Sequence, residues 1–282
     1  MSKVWFITGT SSGIGKELAK QVLAAGYQAA LGARKTDDVA DIIAAYPETA
    51  WAVKLDITSA DEIVWSVKAV EEKFGRIDVL VNNAGIGYFG SIEESDEEEV
   101  RRMFEINFFG LAKLTKHVLP ILRRQHSGHI VNISSILGLL SAPAVGFYSA
   151  TKFAVDGYSE ALSKELAPLG IKVIIIAPSN IRTDWAGRSA KDAPDTIADY
   201  QATAGANKNH LRGISGKQDG DPVRMAKAII KVVESENPPL RLLLGNASYN
   251  GAQAKLVAAK VDYDTWAETS KGADFPNENT HS

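Results

Sequence analysis

Along the chain, short apolar runs alternate with longer stretches in which apolar positions recur every three or four residues. The runs are Val4–Thr8, Gln28–Ala33, Trp51–Asp56, Ile77–Val81, His129–Ser134, Lys172–Ala177 and Leu240–Gly245. Several are apolar at consecutive positions, as in Val79-Leu80-Val81 and Val173-Ile174-Ile175-Ile176. A strand with one wet face alternates, whereas a strand covered on both faces does not, so these runs predict a buried parallel sheet. The stretches Ile14–Ala25, Ala60–Phe74, Glu97–Gln125, Gly146–Leu169 and Pro222–Glu234 predict helices. Strand and helix alternating this often predict an α/β, doubly wound fold with about seven parallel strands and helices on both faces.

No segment reads as a linker, so residues 1–247 are expected to form one domain. Residues 179–221 are the exception to the pattern: long, aperiodic and rich in Ala, Gly, Asn and Asp. A loop of that length in a compact α/β domain is commonly a functional lid, and a substrate lid is expected here. Residues 248–282 predict a helical extension whose polar end, Asn277–Ser282, frays.

Composition narrows the function. The net charge of −3 offers no electrostatic case for binding nucleic acid or an anionic membrane. The absence of cysteine excludes disulfides, thiolate nucleophiles and thiolate metal sites. No apolar run approaches the ~18 residues needed to span a bilayer, and no cleavable leader is visible. A soluble, cytoplasmic protein is the expectation. The five histidines (His117, His126, His129, His210, His281) lack metal-ligand spacing. The acidic run Glu93–Glu99 reads as a loop and helix N-terminus rather than a metal site.

The glycine-rich turn Thr8-Gly9-Thr10-Ser11-Ser12-Gly13-Ile14-Gly15 follows the first strand and opens the first helix. Gly9, Gly13 and Gly15 keep side chains out of a tight turn, so the backbone of Ser11, Ser12 and Ile14 and the positive helix end can approach a pyrophosphate. This predicts a dinucleotide site of the Rossmann type. A site selective for NAD usually ends its second strand with Asp or Glu, and here Ala33 stands there, followed by Arg34 and Lys35. Two cations suit a ribose 2′-phosphate, so NADP is expected over NAD.

Ser135 follows the run His129–Ser134, and Tyr148 and Lys152 lie one helical turn apart thirteen residues on. Two of them have an ordinary reading alone: Ser135 as a cap or turn serine, Tyr148 as a half-buried helix tyrosine. Together, at the carboxyl end of a strand, they predict acid–base chemistry on a carbonyl. The ammonium of Lys152 is expected to make the Tyr148 phenol acidic, or to bind nicotinamide-ribose hydroxyls. Ser135 is expected to donate to the substrate oxygen.

These residues, with Asp56, the run Asn82-Asn83-Ala84-Gly85 and Asn107, resemble the short-chain dehydrogenase/reductase family over nearly the whole chain. The resemblance implies that Asp56 and Ile57 meet the adenine and that Asn83, Ala84 and Gly85 approach the adenosine ribose. It implies that Pro178, Ile181 and Thr183 flank the nicotinamide, and that Asn107 holds a water on a proton relay from Lys152. It also implies a homo-oligomer, a homodimer before a homotetramer. One departure is Ser179, where the family usually has glycine after Pro178. The tail resembles relatives of retinol and 17β-hydroxysteroid dehydrogenases.

The expected substrate is a small or medium apolar carbonyl or secondary alcohol, faced by Ile136, Leu137, Leu139, Leu140, Val145, Tyr88, Phe89 and Trp185. Arg182 and Arg188 leave a carboxylate open. Two rival functions remain: a nucleotide-binding regulator, which would not need Ser135, Tyr148 and Lys152 together, and an epimerase or dehydratase on the same fold.

Overall fold

The computed structural model describes residues 2–275, so the predicted frayed tail Asn277–Ser282 and His281 lie outside the described residues. Strands β1 (Val4–Thr8), β2 (Gln28–Ala33), β3 (Ala50–Lys54), β4 (Val79–Asn82), β6 (Gly128–Ile133), β7 (Ile171–Pro178) and β9 (Arg241–Leu244) form one sheet in the order β3-β2-β1-β4-β6-β7-β9. Every neighbouring pair in it is parallel. Two short strands, β5 (Gly87–Phe89) and β8 (Ala190–Asp192), pair in parallel outside it. The helices are α1 (Gly13–Ala24), α2 (Ala40–Ala45), α3 (Ala60–Phe74), α4 (Glu97–Phe104), α5 (Leu111–Gln125), α6 (Gly146–Leu166), α7 (Ala206–Gly213), α8 (Pro222–Glu234), α9 (Asn246–Thr265) and α10 (Ala267–Lys271).

Successive strand residues point to opposite faces, and both faces are covered. In β1, Trp5 and Ile7 pack with Leu18 and Val22 of α1 and Met225 and Ile229 of α8. Phe6 between them packs on the other side with Ile63 and Val67 of α3, Leu114 and Val118 of α5, and Leu162 of α6. That two-sided burial explains the unbroken apolar runs. Helix starts follow capping chemistry: Ser59 accepts from the Glu62 N–H, Asp96 from Glu99, and Asp221 from Val223 and Arg224.

Two predicted helices are interrupted. The stretch Glu97–Gln125 holds a π-turn at Glu105–Gly110 between α4 and α5. There Gly110 runs against β3–α3 backbone; a Cβ on it would lie 2.5 Å from the Ile57 carbonyl oxygen. The predicted Gly146–Leu169 helix ends at Leu166 and tightens into a 3₁₀ turn over Ala167–Leu169, where Pro168 has no N–H to give.

The expected lid is not structureless. It holds β8, α7 and several short turns, and its two ends meet where Arg182 N–H donates to the Gly220 carbonyl at 2.8 Å. The acidic run Glu93–Glu99 does more than cap α4, because three of its carboxylates reach the lid. Glu93 accepts from the Tyr200 hydroxyl at 2.7 Å, Glu94 from the Thr196 and Ile197 N–H groups at 2.6 and 2.7 Å, and Glu99 from the Lys191 ammonium at 2.5 Å. Arg212 of α7 knits the lid from within, donating to the Gly187 and Ala190 carbonyls and pairing with Asp192.

Candidate active site

A cavity of about 900 Å³ runs along the carboxyl ends of β1, β2, β3, β4, β6 and β7 and is lined also by residues of the segment 179–221. At its floor Gly9 and Gly13 hold left-handed backbone (φ +68° and +58°), which a side chain would strain. A Cβ on Gly9 would come within 3.0 Å of the Ala84 Cα. The turn is held from β4: the Asn83 side-chain amide donates to the Thr8 and Gly9 carbonyls at 2.8 and 3.1 Å. The Thr8 hydroxyl accepts from the Asn83 and Ala84 N–H groups, both at 3.0 Å. Ser11, Ser12, Gly13 and Ile14 line the cavity. Gly15 lies beneath it, where a Cβ would sit 2.4 Å from the Gly9 carbonyl oxygen. A bare backbone there lets the helix pack under the turn.

Arg34, Asp56, Ile57, Ala84 and Gly85 line the adjoining end. Lys35 does not line it and is exposed. Two further residues, Asp38 and Arg102, line this end without any local signal in the sequence. The Asp56 carboxyl is below its ordinary value although burial opposes this; the N–H and hydroxyl of Thr58 and the nearby Arg34 and Arg102 charges outweigh it.

At the other end Ser135, Tyr148 and Lys152 converge. Ser135 lies two residues after β6 and caps the turn Ile136–Gly138, its oxygen accepting from the Leu137 N–H at 3.1 Å. Capping uses only the oxygen, and the same hydroxyl acts on the Tyr148 phenol, so the capping and oxygen-binding readings coexist. Tyr148 opens α6 and is 7% exposed. Lys152, one turn on, sends its ammonium to the Ile133 carbonyl at 2.9 Å, with the phenol ring centroid 5.6 Å away.

This geometry corrects the expected phenol acidity. Burial pushes the Tyr148 phenol up, with only the Ser135 hydroxyl pulling it down. Burial also lowers the Lys152 ammonium to about 8, opposed by Asp156. As the protein stands, Tyr148 is poised to hold its proton.

Asn107 lies in the π-turn, one layer behind the cavity wall and 1% exposed. Its Oδ1 accepts from the Ile86 N–H at 2.9 Å, and its Nδ2 donates to the Ile86 carbonyl at 3.0 Å and the Thr151 hydroxyl at 3.2 Å. Pro178, Ile181 and Thr183 line the cavity. So does Ser179, whose hydroxyl fits because Gly245 opposite has no Cβ; one built there would lie 2.2 Å from it.

Of the expected substrate wall, Ile136, Leu137, Val145 and Trp185 face the cavity, joined by Leu211 and Ile214 of the lid. Tyr88, Phe89, Leu139 and Leu140 do not. Tyr88 and Phe89 are buried core behind it, the Tyr88 hydroxyl accepting from the Asp96 N–H, and Leu140 faces Gly251 of α9. Arg188 lines the cavity, whereas Arg182 is held by the Gln218 carbonyl. Among the described residues no helix is long and apolar enough to cross a membrane.

A glycine-cradled cavity across the ends of a doubly wound sheet, with a tyrosine, serine and lysine at one end, defines an oxidoreductase class. The family model for short chain dehydrogenase matches residues 3–194, and the chain belongs to the short-chain dehydrogenase/reductase family. It is an NAD(P)-dependent enzyme of that family. Oxidoreductase BOA17 of Botryotinia fuckeliana is 39% identical over 96% of this chain and 98% of its own. Retinol dehydrogenase 8 of Bos taurus is 33% identical over 83% of this chain and 79% of its own. A short-chain dehydrogenase from Streptomyces avermitilis superposes with a TM-score of 0.91 at 38% identity, covering 98% of this chain and 99% of its own. An alcohol dehydrogenase from Thermococcus sibiricus complexed with 5-hydroxy-NADP superposes at 0.72 and 28% identity, covering 86% and 96%.

Proposed function

We propose that the protein reduces an apolar ketone or aldehyde, or oxidises the matching alcohol, with NADP(H) in preference to NAD(H). The observation that carries this is one continuous cavity reaching from Arg34 to Tyr148. The left-handed glycines and the N-terminus of α1 suit the pyrophosphate, and Arg34 with Arg102 suits the 2′-phosphate. Asp38 stands at the same end, so the choice of cofactor measures which charge governs. When bound, the dinucleotide supplies or accepts the hydride.

The chain's own groups manage the oxygen. Ser135 donates to the substrate oxygen as negative charge builds on it. Tyr148, whose burial keeps its proton in place, delivers that proton in reduction and takes it back in oxidation. Lys152 holds positive charge beside the phenol and is placed to bind ribose hydroxyls. Asn107 fixes the Ile86 backbone and, in the family's manner, serves the relay that refills Tyr148. Trp185, Leu211, Ile136 and Leu137 exclude water and prefer an apolar substrate. The soluble homodimer and cytoplasmic location expected from the sequence belong to the same reading.

A panel of apolar and carboxylated carbonyls, scored by 340 nm absorbance with both cofactors, tests it. Faster consumption of NADPH on apolar members supports the proposal; NADH-selective turnover, or turnover of carboxylated members alone, overturns it.

A further inference from the structure

Beneath Lys152 lies a charged group that the reaction described above does not use. Asp156 is 4% exposed and sits four residues after Lys152 on α6, so the two side chains share one helix face. Three elements meet on its carboxylate. One oxygen accepts from the Ser134 hydroxyl, the residue next to Ser135 at the end of β6. The other accepts from the Arg241 guanidinium, which arrives from β9 at 2.9 and 3.2 Å. The turn Ile136–Gly138 closes over the top, so tightly that a Cβ on Gly138 would lie 2.9 Å from the carboxylate.

A buried carboxylate is expensive unless its lone pairs and charge are met. Ser134 and Arg241 meet them here, yet neither explains why a charge stands at this spot when an apolar side chain would fill it. One helical turn before it on α6 stands Lys152, the other cation whose charge acts on this carboxylate. That ammonium donates to the Ile133 carbonyl, has the Tyr148 ring on one side, and has Asp156 as its carboxylate neighbour one turn along the helix.

We propose that Asp156, clamped by Arg241 and Ser134, is a positioning residue that keeps Lys152 an ammonium beside Tyr148. This rests on the proposed role of Lys152 in the reaction. Burial alone drives Lys152 toward the neutral amine, and Asp156 opposes it. The Asp156 carboxyl is itself pushed up by burial, with Ser134, Arg241 and Lys152 all acting to keep it ionised. Arg241 therefore acts on the site from the last strand of the sheet, through a carboxylate and not by touching substrate.

The test reads Lys152 directly, independently of any turnover. Full-length protein carrying [ε-¹³C]lysine is titrated by NMR, with Lys152 assigned by its loss in Lys152→Met. Asp156→Asn keeps the shape and removes the charge. Its Lys152 midpoint is expected to fall by about one pH unit or more, a tenfold change in proton affinity. The apparent pKa of any measurable pH–rate profile moves the same way. A folded Asp156→Asn protein with the wild-type Lys152 midpoint overturns the proposal, because a purely structural role lowers stability without moving that titration. Should the single variant fail to fold because it strands Arg241, Asp156→Asn with Arg241→Gln removes the stranded guanidinium and carries the same measurement: a lowered Lys152 midpoint supports the proposal, a wild-type one overturns it. A lowered midpoint in a protein that turns over no carbonyl separates this inference from the proposed reaction.

Discussion

The indole of Trp185 lies against the phenol of Tyr148, ring centroids 4.9 Å apart and planes inclined at 55°. The indole also meets Phe89 edge-on, ring centroids 5.5 Å apart. Trp185 belongs to the segment 179–221 and Tyr148 to α6, so this contact covers the residue assigned the proton. The segment can come this close because β5 is small there. A Cβ on Gly87 would lie 2.8 Å from the indole, and one on Gly90 would collide with Ala193. Trp185→Ala should open the substrate end. The ratio of kcat/KM for bulky over small carbonyls is expected to rise about tenfold or more, the scale of a hydrophobic pocket contact. An unchanged ratio would remove Trp185 from the substrate wall.

Arg34→Asp should reverse the charge at the adenosine end. A charge-assisted hydrogen bond contributes about 1.5–3 kcal/mol, so the NADPH over NADH preference in kcat/KM should fall roughly 10- to 100-fold. Arg102→Gln should move it the same way by less, since that guanidinium also pairs with Glu99.

Glu94 ties the segment 179–221 to the loop before α4 through the Thr196 and Ile197 N–H groups. The Ser91 hydroxyl first, then the Ile197 and Thr196 N–H groups, hold its carboxyl down to about 2. A depressed carboxyl contributes its hold fully above the ordinary value near 4.5 and loses it only as pH falls through about 2. The lid should therefore stay pinned at pH 5. Glu94→Ala should release it at neutral pH, seen as faster limited proteolysis within residues 184–200 and a raised KM. Equal cleavage rates in the two proteins would contradict this.

His129 should tie folding to pH. Burial first, then Lys3 and Lys172, lower it to about 4, with Asp78 opposing. The unfolded chain takes up a proton near 6.5 that the folded protein resists, so stability is intact above that value and is lost as pH falls toward about 4. His129→Gln should flatten this part of the acid limb. Denaturation midpoints at pH 7 and 4.5, compared between the two proteins, check it.

The main sheet was legible because its strands carry apolar residues on both faces; Trp5, Phe6 and Ile7 need opposite layers and announce them. The pair β5–β8 was not, since three-residue strands built on Gly87 and Ala190 have no period to read. The lid was opaque for a related reason. Its shape depends on Glu93, Glu94 and Glu99, which are about a hundred residues away in the chain. Ser135, Tyr148 and Lys152 could be singled out because their spacing is local. Arg102, Asp38, Asp156 and Arg241 could not, because each matters only through what folding brings beside it. The misassigned wall residues Tyr88, Phe89, Leu139 and Leu140 share one cause: near a strand end, an apolar side chain facing a cleft and one facing the core have the same sequence.

The most direct measurement is Tyr148→Phe in the presence of NADPH and a carbonyl that the wild-type protein consumes. Removing the phenolic proton should lower kcat by roughly 10²- to 10⁴-fold, the usual contribution of a positioned acid, while NADPH affinity by fluorescence titration stays within a factor of a few. A variant that turns over at the wild-type rate, or one that loses NADPH binding in step with activity, would contradict the account.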